Sequence, residues 1–223
     1  MTEKEPPAAS PFAPRQARSR ATAERLLLAT AQILEERGLD GALIPAIAAA
    51  AKVAPASVYR RFADKDDLLR SVFLWILHKG VHGNPESTRE VLLRDTLTKT
   101  ARRIVHFTFE QYRQYPGLTR ALVRFLETDT DVRFVAEARG ILSSNIEFVV
   151  DVLLEHRQEF ASGIARKDVR FAVFNCGCSA YDYMLNPHSL WHDARSPFTE
   201  AELARVLTRN LIAFLATPRG TGA

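Results

Sequence analysis

The sequence predicts an all-α protein: an N-terminal helix-turn-helix domain of three helices, then a C-terminal helical bundle, about nine helices together. Three observations predict it. Apolar residues after Arg20 recur at helical spacing, as at Leu26, Ala29, Thr30, Ile33 and Leu34, which make one stripe. No segment shows the period-two alternation of a half-buried strand. Proline, glycine and capping residues cut the chain into helices of ordinary length.

Each element follows from local chemistry. Residues 1–19 are rich in Pro, Ala and Ser without periodicity and read as a flexible arm. A first helix is expected over about Ala21–Arg37, stopped by Gly38. Pro45 opens a short helix to about Ala51, because a proline in the first turn gives up an N–H that has no helical partner there. After a break at Lys52–Ala54, Pro55 opens another that ends near Phe62, and Asp64 caps a fourth helix from Lys65. Two short helices joined by a tight turn, between longer ones, form a helix-turn-helix unit. Its small core is expected from Ile47, Ala48, Ala51, Val53, Val58 and Phe62. Beyond a loop at His82–Thr88, where Pro85 is a helix start, helices are expected at about Glu86–Tyr115, Gly117–Glu127, Val132–Ala161, Lys167–Leu185 and Glu200–Ala216. The last is capped by Thr199 and follows a long loop. This divides the chain into an arm (1–19), the helix-turn-helix domain (20–64) and a bundle (65–223), with the helix from Lys65 linking the two.

The 223 residues, 47% hydrophobic, suffice for a sizeable core. No stretch reaches the ~20 apolar residues of a membrane span, and the N-terminus has no apolar h-region of a secretory signal. With only Cys176 and Cys178, too close together to staple a fold, a cytoplasmic location is expected. The formal charge of +4 is unevenly spread: residues 15–62 hold eight Arg/Lys against four acids and carry the whole excess. A local cationic unit suggests a polyanionic partner; a solvated basic surface is the plain alternative.

The segment Ala49–Phe62, AAAKVAPASVYRRF, narrows that choice. A helix entering the major groove presents its N-terminal residues to base edges while its flanks hold phosphates. Pro55, Ala56 and Ser57 stand at that N-terminal end; small residues let the backbone come close, and Ala56 suits a thymine methyl. Tyr59, Arg60, Arg61 and the start of the next helix at Lys65 are phosphate-binding chemistry. Taken singly, Tyr59 could equally pack on the fourth helix and the arginines face solvent; their spacing within a complete helix-turn-helix pattern favours double-stranded DNA.

The stretch from Arg20 to Leu69, with its apolar stripe closing on Gly38, Ile47-Ala48, Ala51, Val53, Ser57-Val58-Tyr59, Phe62, Lys65 and Leu68, resembles the N-terminal domain of TetR-family transcriptional regulators. The resemblance implies a ligand-responsive repressor that binds a near-palindromic operator as a homodimer, with a C-terminal bundle that dimerises and encloses a small-molecule pocket. Carried over, Pro55, Ala56, Ser57 and Tyr59 fall at base-facing positions and Tyr59, Arg61 and Lys65 at phosphate-facing ones, while Pro45 stands where other members place a DNA contact. Three positions depart from the family pattern. Leu43–Ile44 cannot supply the usual Thr cap, Lys52 replaces a turn glycine, and Ala54 replaces the Ser/Thr cap of the recognition helix. Few hydrogen-bonding groups remain at base-facing positions, so phosphate contacts and shape are expected to carry more of the affinity. Arg15, Arg18 and Arg20 on the arm are candidate minor-groove contacts or simply solvated.

In the bundle, FAVFNCGCSAYDYML (171–185) places Phe171, Phe174, Cys178, Tyr181 and Leu185 at helical spacing beside small residues. With the last helix it is the expected homodimer interface (about 167–185 and 200–216), an ordinary core helix being the alternative. Candidate ligand contacts are Phe107, Glu110, Phe125, Phe148, Asn175, Tyr181 and Trp191, for an apolar or amphipathic effector. No cofactor is expected. An enzyme is disfavoured, since no nucleophile elbow, P-loop or dinucleotide fingerprint occurs. The pairs His78/His82 and His188/His192 have the i, i+4 spacing of metal ligands, but the first straddles Gly80 and the second follows Pro187. A Cys176–Cys178 redox pair would be a strained disulfide. The remaining alternative is a protein of this fold that no longer reads an operator and works as a protein- or ligand-binding module.

Overall fold

The computed structural model describes residues 13–79, 84–195 and 197–217, which hold ten α-helices, and no strand occurs among them. The chain divides into two compact units, one up to Val72 and one from Phe73 on. The boundary falls inside the helix that begins at Lys65.

In the first unit, α1 spans Ala13–Gly41, so the helix begins inside the stretch expected as an arm; residues 1–12 lie outside the described residues. Its path breaks where expected, at Gly38, which adopts φ 64° and ψ −168°. The whole predicted stripe from Leu26 to Leu34 is buried, and the Thr30 hydroxyl donates to the Leu26 carbonyl at 2.7 Å, so its burial leaves no polar group unpaired. Helix α2 (Ile44–Ala50) and α3 (Pro55–Tyr59) each carry proline in the first turn, and neither Leu43 nor Ala54 supplies a side-chain cap. Ile44, Ile47, Ala48, Ala51 and Val58 close the small core, whereas Val53 and Phe62, expected within it, stay half-buried.

The turn between α2 and α3 is built as a Schellman motif. Val53 N–H donates to Ala48 O at 2.9 Å and Lys52 N–H to Ala49 O at 3.1 Å. That motif needs a left-handed residue, and Lys52 takes the position with φ 56°. A side chain there costs roughly 1–2 kcal/mol, part of which glycine would return as unfolded-state entropy. Lys52→Gly is therefore expected to raise stability by roughly 0.5–1 kcal/mol, read as a higher denaturant midpoint at unchanged slope.

Helix α4 (Lys65–Lys79) begins with Asp64 accepting the Asp67 amide at 2.8 Å, while Asp67 returns the favour to Ala63 N–H at 2.9 Å.

The second unit contains α5 (Pro85–Leu92), α6 (Leu97–Gln114), α7 (Pro116–Thr128), α8 (Val132–Leu154), α9 (Arg166–Leu185) and α10 (Glu200–Ala216). Two expectations are corrected here. The single helix expected over Glu86–Tyr115 is two, separated at Leu93–Thr96. Thr96 accepts the Lys99 amide, and Glu159, distant in sequence, accepts the Leu97 amide at 2.9 Å, so α6 gains a new N-terminus. The helix expected to Ala161 stops at Leu154 and gives way to a 3₁₀ turn at Arg157–Glu159. His156 joins these two departures. It is buried, with Nε2 2.8 Å from the Thr100 hydroxyl and Nδ1 3.0 Å from Glu159.

The core runs along α6, α8, α9 and α10 and is filled by Ile104, Phe109, Val150, Leu153, Leu203 and Leu211 among others. Helix α10 keeps the bounds read from sequence, with Thr199 and Glu202 forming a reciprocal capping box.

Candidate nucleic-acid interface and ligand-contacting residues

The face expected to meet DNA is open within its own unit. Pro45, Pro55, Ala56, Arg60 and Arg61 are exposed, Ser57 is half-buried, and Tyr59 keeps 59% of its surface in solvent. Val58, fully buried between them, anchors α3 and leaves its neighbours facing outward. The Arg60 guanidinium reaches back one turn and donates to the Ser57 hydroxyl at 2.6 Å. This couples the two residues: Ser57 keeps its own proton for a base or phosphate, while Arg60 retains further N–H groups.

Lys65 is half-buried, with Nζ donating to the Leu39 carbonyl at 3.1 Å. The ammonium keeps two more protons, but its position is set by the end of α1. The start of α4, expected to offer free amides to a phosphate, instead carries Asp64, Asp66 and Asp67, and Asp64 already occupies the Asp67 amide. Three carboxylates at this helix start disfavour an anion there. The Arg15 and Arg18 side chains lie outside what is described, and Arg20 is exposed on α1.

Residues 26–72 match the family model for bacterial regulatory proteins of the tetR family. This stretch is similar to the TetR family. An uncharacterised HTH-type transcriptional regulator of Mycobacterium tuberculosis is 35% identical over 86 residues, 38% of this chain and 39% of that protein. A regulator of Mycobacterium bovis matches to the same extent. The match thus spans about two-fifths of these relatives. The fold likeness extends further. The regulator FadR from Bacillus subtilis, solved in complex with stearoyl-CoA, superimposes with a TM-score of 0.61 at 17% identity, covering 88% of this chain and 99% of that one. A TetR regulator from Rhodococcus gives 0.54 at 15% identity, with 90% and 98% covered.

Beyond residues 26–72, the residues considered for ligand contact have different surroundings. Phe125 is buried core, its ring 5.3 Å from Phe73 and 5.6 Å from Phe134. Glu110 is exposed and gripped by Arg103 at 3.0 Å, and Phe107 lies half-buried beneath the same guanidinium. Phe148 packs on the core, Asn175 is exposed on α9, and Trp191 meets Phe198 edge-on. Tyr181 stands edge-on to Tyr112, whose half-buried phenol has its pKa pushed up to about 12 by loss of solvent, with Cys178 and Tyr181 adding to the effect.

One polar atom missed from sequence is Asn145 Oδ1 on α8, which is buried and has no hydrogen-bond partner among the described residues. Such an acceptor costs about 1–3 kcal/mol and is the kind of group a ligand donor would satisfy. Nothing in the sequence separates Asn145 from the surface asparagines; only packing does.

Burial pushes the Cys176 thiol up to about 11, so it stays protonated near neutral pH, and both cysteines are free. Among the described residues no group of three metal-ligating side chains gathers. His82 lies outside the described residues, His78 faces Glu137 at 3.7 Å, and His192 bonds the Tyr183 carbonyl. No described helix is long and apolar enough to cross a membrane.

Proposed function

We propose that this protein is a transcriptional regulator that binds DNA as a homodimer and releases it on binding a small apolar or amphipathic effector, acting as a repressor in the cytoplasm. The observation that carries the reading is the solvent-open face of α3, with Tyr59, Arg60 and Arg61 projecting from a TetR-like domain whose core holds the helix through Val58. Two such faces related by a twofold axis would enter successive major grooves about 34 Å apart on a near-palindromic operator. The relatives are regulators rather than enzymes, which supports a non-catalytic role.

A twofold partner is supported by α9, which leaves Phe171 and Phe174 58% and 52% exposed at i, i+3 spacing. Phe171 contacts Phe214 of α10 at 5.9 Å, so both helices contribute to the apolar surface a second copy would cover. The stearoyl-CoA bound by FadR and the orphaned Asn145 oxygen favour an effector with an apolar body and a hydrogen-bond donor.

The second reading, a module that no longer reads an operator, draws on Pro55 and Ala56, which present no hydrogen-bonding side chain at base-facing positions, and on the uncapped start of α3. A salt-titrated mobility shift with genomic fragments separates the two. An operator reader should prefer one fragment over bulk DNA by roughly a thousandfold or more. Uniform weak binding that salt abolishes would support the second reading.

A further inference from the structure

The side of α10 that faces α6 carries a feature used by neither the DNA-binding face nor the α9 stripe. The two helices bound a groove of about 630 Å³. Its walls carry Arg102 and His106 from α6, one turn apart, and Arg205 and Arg209 from α10, also one turn apart. Its apolar lining comes from Ala201, Ile212 and Ala213, and no carboxylate lines it.

Several other arginines of the same unit are spent on carboxylates. Arg103 closes onto Glu110, Arg113 onto Glu200, and Arg166 and Arg170 onto Glu147. Among the described residues Arg102 and Arg209 form no ion pair, while Arg205 donates its Nε to the Ala201 carbonyl at 3.3 Å and lies near enough to Glu202 to help lower that carboxyl's pKa. Two smaller clefts extend the positive track. One, of about 400 Å³, shares Arg102 and His106 and adds Arg94, Lys99 and the Arg103–Glu110 pair; the other, of about 370 Å³, shares Arg205 and Arg209 and adds Glu202.

Three guanidiniums around one concavity repel one another and gain most from an anion that enters it, because each presents a planar fork matched to carboxylate or phosphate oxygens. The apolar lining selects further. A bare inorganic anion would leave that surface wet, whereas an organic anion with an apolar body satisfies both halves. We infer that the α6–α10 groove binds a small amphipathic anion, its carboxylate or phosphate held among Arg102, Arg205 and Arg209 and its apolar portion laid over Ile212 and Ala213. The concavity and its apolar content favour this ligand over a duplex backbone, which is flat on this scale and wholly charged. The inference does not depend on the DNA-binding reading and would stand if that reading failed.

The test uses the full chain with octyl phosphate, octanoate, 1-octanol and inorganic phosphate as probes in titration calorimetry at low and high salt. Octyl phosphate or octanoate should bind, and the comparison between them tells which head group is preferred. Binding should weaken with salt. The exposed pair Arg102→Gln/Arg209→Gln should lose affinity roughly tenfold or more while keeping the wild-type melting temperature. Arg139→Gln, an exposed arginine of α8 outside the groove, should bind as wild type. Octanol binding as well as the anions, inorganic phosphate binding as well as octyl phosphate, no binding of either amphipathic anion, or undiminished binding in the double variant would each overturn the assignment. So would an acidic peptide or DNA fragment whose binding the double variant abolishes while octyl phosphate fails to bind.

Discussion

Tyr59→Ala is expected to weaken DNA binding by roughly a hundredfold while leaving the fold intact. The phenol is 59% exposed, and α3 is held from below by Val58, so the substitution should change stability by no more than about 0.5 kcal/mol. A hydroxyl bonded to a phosphate contributes about 1.5 kcal/mol. The proposed dimer uses it twice, so the loss doubles to roughly two decades of affinity. Tyr59→Phe separates hydroxyl from ring: if the phosphate bond dominates, it should fall nearly as far as the alanine variant. Because phosphates carry no sequence information, operator and bulk DNA should weaken together, leaving their ratio unchanged. The salt dependence adds a second axis. Removing neutral Tyr59 should leave the slope of affinity against salt unchanged, whereas Arg60→Ala should flatten it by about one per subunit. Wild-type affinity in Tyr59→Ala at physiological salt would remove α3 from the interface.

The first unit was largely legible because its signals are local. A stripe at helical spacing, Pro45 and Pro55 in first turns, Gly38 as a stop and Asp64 as a cap each act within a few residues, and each stands where local chemistry puts it. The turn at Lys52 shows where the local reading ends. The residue type argues against a left-handed conformation, yet Ala48 and Ala49 receive the two hydrogen bonds that impose it. The break between α5 and α6 could not be read locally at all. Thr96 is an ordinary capping residue, but Glu159 and His156, brought back by the turn after α8, complete the new helix start.

The ligand candidates were picked by residue type, and packing gives each a different setting. Phe125 went into an aromatic core cluster and Glu110 into an ion pair. The groove arginines have helical spacing in the sequence. What sets Arg102, Arg205 and Arg209 together is that α6 and α10 pack side by side around a groove whose own lining holds no carboxylate, although Glu110 and Glu202 line the clefts beside it.

Phe109→Ala should cost the second unit about 3–5 kcal/mol. The ring is 1% exposed in the middle of α6, which crosses the core and packs against α10 and α9, and it stands edge-on to Tyr183 at 6.2 Å. Truncation removes both the transfer gain of the ring and the contacts of the side chains around it, which helices fixed at their starts replace only in part. Helix α6 has its N-terminus fixed by Glu159 and Thr96, and α10 is fixed by its capping box, so little collapse into the void is expected. Against a domain stability of about 5–15 kcal/mol, this loss should lower the melting temperature by roughly 10 °C. Phe109→Leu, which refills most of the volume, should recover more than half of it. A shift of only about 2 °C in the alanine variant would mean that α6 is not the central helix of this core.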